Sequence, residues 1–191
     1  MKVIDLLEAE SPYEKMVVSA YKWTKGDYSA FRQEMIAHIN DYKGMPDDHE
    51  DGEDAFGDWE WGVRHLFENG GIIQRVVFLD SLKDLRISDL GGNTPWTMMD
   101  LADNEEFVGY LRSNNEGNGG SGEHAYIFTA KTPPGNIHMG IINLPEEYRE
   151  EEINVSDINK LTDVTIKMGV NNKFEVVGEL DIRNKKIKMA S

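Results

Sequence analysis

Arg75 stands in the middle of an apolar, β-branched run, Ile72-Ile73-Gln74-Arg75-Val76-Val77-Phe78-Leu79. Period two puts it on the strand face of Ile73 and Val77, where a cation needs a reason, such as a paired carboxylate or a bound phosphate. Further on, Leu90-Gly91-Gly92-Asn93-Thr94-Pro95-Trp96-Thr97 leads into a short strand and brings a hydroxyl, Thr97, beside an indole, Trp96. Late in the chain Glu150-Glu151-Glu152 opens the strand Ile153-Asn154-Val155, with Glu150 and Glu152 on one face and Glu151 on the other. Two carboxylates aligned on one strand, near an arginine and a hydroxyl, suit acid/base work and the stabilisation of a developing cation. Spacing alone favours a plainer reading. Glu146 to Glu152 holds five acids in seven residues, and such a run is usually an exposed face.

The other candidates carry less. Asp47, His49, Asp51, Gly52 and Asp58 fall on a calcium-loop template. However, a His stands at its third position and an Asp where a bidentate Glu belongs, so a solvated acidic linker is expected there. Gly91-Gly92-Asn93 and the glycines of Asn114 to Gly122 lack the strand–glycine–helix context and the lysine of a phosphate loop, and read as turns. No two of His38, His49, His65, His124 and His138 have the spacing of a helical zinc pair, and no metal site is expected. There is no serine elbow.

The elements that would position these residues follow from pattern. Ser11-Pro12-Tyr13-Glu14 is a capping box with proline at the first helical position, and Gly26 closes that helix. Asp27 or Ser29 starts a second helix, striped by Phe31, Met35, Ile36, Ile39 and Tyr42. Asp58 is expected to cap a short third helix, which Asn69-Gly70-Gly71 stops. Strands are expected over 72–79, 124–131, 137–142, 151–155, 162–168 and 174–180, with a helix over 101–112 capped by Asp100. The chain is therefore α+β: helices first, then a mostly antiparallel β body with one inserted helix. It divides into a helical segment 1–46, an acidic linker 47–57 and a β-rich body 58–191.

Composition bounds the function. The 191 residues carry 35 acids and 20 bases, a net charge of −15. Residues 47–60 alone hold eight acids and no base. This balance argues against a nucleic-acid cradle. No cysteine is present, which excludes thiolate catalysis and cysteine-held metals. No apolar run is long enough to span a bilayer, and acids interrupt the apolar stretch of Met1 to Glu10. A soluble, cytoplasmic protein without membrane contact is expected.

The order of the pieces resembles the ADP-ribosyltransferase family of the Arg–Ser–Glu type, especially its small bacteriophage members. That family has an Arg on its first core strand, then a Ser/Thr strand, then a late Glu-x-Glu strand. Here these read Gly70 to Val77 around Arg75, Leu90 to Thr97, and Glu150 to Val155, over roughly residues 58–182. Thr97 stands where the family has serine. The resemblance implies a core of two packed, mostly antiparallel sheets and a mono-ADP-ribosyltransferase that consumes NAD. Arg75 would hold a phosphate of NAD, and Trp96 would line the same site. Thr97 would hydrogen-bond the catalytic Glu152, which would bind the nicotinamide ribose and stabilise the oxocarbenium-like centre. Glu150 would orient or deprotonate the acceptor, which for this family variant is arginine. The partner implied is a host protein with a basic surface, in a bacterial cytoplasm. Two other readings stay open: an NAD glycohydrolase on the same fold, and a non-enzymatic acidic binding or inhibitor protein that mimics nucleic acid.

Overall fold

A computed structural model describes residues 3–5, 27–40, 52–91, 96–98, 101, 108–109, 122–138, 152–170 and 173–190. In chain order the elements are β1 (Val3–Asp5), α1 (Tyr28–Asn40), α2 (Gly52–Asn69), β2 (Gly71–Leu79), β3 (Trp96–Thr97), β4 (His124–Thr132), β5 (Ile137–His138), β6 (Glu152–Val155), β7 (Thr162–Val170), β8 (Lys173–Asp181) and β9 (Lys186–Met189). Single 3-10 turns lie at Leu82–Asp84, Ile87–Asp89 and Ile158–Lys160. The expected α+β pattern is present, and every pair of neighbouring strands is antiparallel.

Helix α1 starts where a side chain can satisfy its free amides. The Asp27 carboxylate accepts from the N–H groups of Ser29 (2.8 Å) and Ala30 (3.2 Å), so Asp27 rather than Ser29 is the cap. Helix α2 corrects the expectation of a short helix capped by Asp58. It begins at Gly52, inside the acidic stretch. Glu53 and Asp54 are among its first residues in sequence, and a helix start is a position where acids are favoured. Positions 52–58 are thus helical, which removes the second half of the calcium-loop template. The stop is as read: Gly70 adopts φ +69° and its N–H donates to Leu66 O at 2.9 Å. That left-handed residue suits glycine, and an added Cβ would run into the Thr132 carbonyl.

The strands pair in one order, β1-β9-β8-β7-β4-β2-β3-β6-β5. Two separate packed sheets are therefore not what the described pairing shows. The reason lies in β2 and β4, which match over nine residue pairs and join the two ends of the order. Every residue from Ile73 to Leu79 is buried, so β2 is covered on both faces, although an antiparallel strand can leave one face to water. One face builds the larger core. Ile73, Val77, Tyr126, Phe128, Ile166, Leu180 and Ile187 meet Val63, Leu66 and Phe67 of α2. Ile137, Ile153 and Val155, from the far end of the sheet, belong to the same core. The accumulated twist of a nine-stranded sheet lets both ends curl around one interior. The other face is smaller: Val76, Phe78, Ala125 and Ile127 pack with Leu101 and Val108.

Helix α1 joins this core. Phe31 is buried, and its ring centroid lies 4.5 Å from that of Phe67. The helix expected over 12–25 lies outside the described residues, as does most of the one over 101–112. Strands β1 and β9 were not among the expected strands. No helix among the described residues is long and apolar enough to cross a membrane.

Candidate functional site

The three strands that carry the singled-out residues are neighbours: β2 with Arg75, β3 with Trp96 and Thr97, and β6 opening at Glu152. Thr97 is opposite Gln74 on one side and opposite Glu152 on the other. Directly opposed residues share a face. Residues 152, 97 and 74 therefore form one cross-strand row, which Thr129 of β4 continues. Thr97 is 4% exposed and Gln74 7%. The Thr129 hydroxyl is buried, with no hydrogen-bond partner among the described residues.

Arg75 is one residue out of step with that row. It lies opposite Phe128, on the face of the larger core, so the register separates it from Thr97 where the sequence reading brought them together. The cause is the strand period of two: Gln74 takes the place beside Thr97 and Arg75 turns away. Arg75 is 2% exposed, and its Nε–H donates to the Asp89 carbonyl at 2.6 Å. Trp96 shares that face, opposite Ile153, and its Nε1–H donates to the Leu90 carbonyl at 2.9 Å. Two buried donors thus hold consecutive carbonyls of the segment between β2 and β3. That segment is braced from outside as well. The Asp89 carboxylate accepts from the Arg86 backbone N–H at 2.8 Å and pairs with the Arg86 guanidinium at 2.9 Å.

Gln74 is the residue that sequence reading missed. Its side-chain Oε1 accepts from the Leu101 N–H at 2.8 Å, in a buried position. Its signal was available as a second polar residue in the same apolar run as Arg75, on the opposite parity. Glu150 lies outside the described residues. Among the described residues no group of three His, Asp or Glu side chains is placed to hold a metal ion.

No protein-family model, curated protein or solved structure matches the chain. The site's chemistry therefore rests on its residues and their register.

Proposed function

We propose that the chain is a mono-ADP-ribosyltransferase, cleaving NAD and passing ADP-ribose to a protein acceptor, with arginine the expected acceptor residue. The observation that carries this reading is the pairing of Thr97 with position 152 on adjacent strands, β3 and β6, beside the arginine-bearing strand β2. That register puts the hydroxyl motif and the late acidic motif on adjacent strands, with Arg75 on the next strand but on the opposite face.

The bond between the ribose and nicotinamide breaks with its electron pair leaving on nicotinamide. Positive charge then builds on the sugar carbon and ring oxygen. A carboxylate at Glu152 favours that charge more than it favours intact NAD, so it accelerates the step rather than only tightening binding. The Thr97 hydroxyl is a donor on the adjacent strand that can orient such a carboxylate. The acceptor nitrogen then attacks the sugar carbon and loses a proton, which Glu150 takes. In this reading Arg75 braces the segment 86–91 from the core face instead of touching a phosphate. The two-sheet core of the family would correspond here to the two ends of one curled sheet. The acidic surface suits a basic protein target.

The test is nicotinamide release from NAD by the purified protein, with and without bacterial lysate, alongside Glu152→Gln and Glu150→Gln. Release is expected to rise with lysate and to vanish in Glu152→Gln, and Glu150→Gln should lose transfer while keeping hydrolysis. Full activity in a folded Glu152→Gln protein would show that the motif register is wrong. Release indifferent to any acceptor would make the chain a glycohydrolase. Neither release nor NAD binding by calorimetry would return it to an acidic binding protein.

A further inference from the structure

The segment that carries Thr97 returns to the residue it started from. Thr97 pairs through its backbone with Gln74, and four residues later the Leu101 N–H donates to the Gln74 side chain at 2.8 Å. Both Leu101 and Gln74 are buried. The contact joins residues far apart in sequence, so it is a tertiary tie and not a local turn. A buried amide must find an acceptor, and Gln74 supplies it from a neutral side chain that adds no charge to the row containing Thr97 and position 152.

We propose that Gln74 is a positioning residue for the reaction assigned above: it clamps residues 97–101 at both ends and so fixes the Thr97 hydroxyl against strand β6. This rests on the transferase reading. The physical reason is that Thr97 sits in a strand of only two residues, Trp96–Thr97. A ladder so short cannot hold a side chain to the tolerance that a transition-state contact demands. The tie at Leu101 supplies a second fixed point. Losing it leaves the substrate-binding groups in place but loosens the oriented hydroxyl, so the loss should fall on kcat and not on KM.

Two substitutions separate the acceptor oxygen from the bulk of the side chain. Gln74→Met keeps the length and removes the acceptor. Gln74→Glu keeps an acceptor oxygen. With nicotinamide release as the assay, Gln74→Met is expected to lower kcat at least tenfold with KM for NAD within about threefold. Gln74→Glu restores the acceptor but adds a charge to the row, so it should regain slow exchange of the Leu101 amide without full kcat. Wild-type kcat in folded Gln74→Met, a loss expressed in KM, or rapid Leu101 exchange in folded Gln74→Glu would each overturn the clamp. A measurement on the unaltered protein needs no activity: the Leu101 amide should exchange with deuterium orders of magnitude more slowly than an open amide. Rapid exchange at Leu101 would overturn the clamp even if neither variant folds. A protein with a slow Leu101 amide but no nicotinamide release would keep the tie and lose the transferase reading, so the two failures are distinct.

Discussion

Arg75 and Trp96 use their side-chain donors on adjacent carbonyls, Asp89 and Leu90, and both are almost wholly buried. A buried guanidinium is costly unless its donors are engaged, and truncating it strands the groups it served. Arg75→Met should therefore act on stability first. A loss of about 1–3 kcal/mol is expected for the stranded carbonyl, or a fall in melting temperature of several degrees, at about 2–4 °C per kcal/mol for a chain of this size. An unchanged melting curve with a raised KM for NAD would instead return Arg75 to phosphate binding. That an arginine in this strand needs a partner was legible from its apolar neighbours. Which partner was not, because the carbonyl that answers it belongs to a 3-10 turn with no pattern of its own. Nor does any single strand reveal the register of the next, so the parity that puts Gln74, and not Arg75, beside Thr97 could not be read from the chain.

Among elements, the long strands were the most legible. The β-branched runs of β2 and β4, bounded by glycine and proline, lie within a residue of where the pattern put them. The start of α2 was misplaced because eight acids in a row of fourteen look like a solvated linker, while a helix N-terminus also favours acids. Strand β9 was missed because its alternation, Lys186-Ile187-Lys188-Met189, lasts only four residues, of which Ile187 alone is fully buried. The turn before it has its own electrostatics. The Asp181 carboxylate accepts from the Asn184 side-chain amide at 2.8 Å and its backbone N–H at 3.0 Å. These bonds hold it below the usual carboxylate range. A lowered folded-state pKa adds stability above the unfolded carboxylate's pKa, and that stability is lost as pH falls through the folded value. Urea unfolding of Asp181→Asn should consequently weaken less between neutral pH and pH 3 than wild type does. An equal loss in both proteins would mean that this turn contributes nothing to the acid sensitivity.

At the scale of the molecule, the helices and both ends of the sheet share one interior. Phe31 of α1 stacks on Phe67 of α2, and both belong to the same core as Ile153 of β6 and Ile187 of β9. Helix α1 is therefore part of the fold's stability. Phe31→Ala should cost about 3–5 kcal/mol and lower the melting temperature of the entire protein in a single transition. A melt unchanged by Phe31→Ala would show that α1 is an appendage. The sheet itself is uneven in how it is sewn together. Strand β2 meets β4 over nine pairs, but among the described residues it meets β3 through the single pair of Gln74 and Thr97. Strands β7, β8 and β9 follow one another in hairpins, whereas β3 and β6 are brought together from distant parts of the chain. Contacts that close long loops are slow to form, so the ladder from β3 to β6 is expected to form late, after β2, β4 and the hairpins have condensed. Interactions absent from the folding transition state act mainly on the unfolding rate. Tightening the seam at Gln74 and Thr97 would therefore lengthen the life of the native protein without hastening its birth, and the proposed site would be the last part of the sheet to assemble.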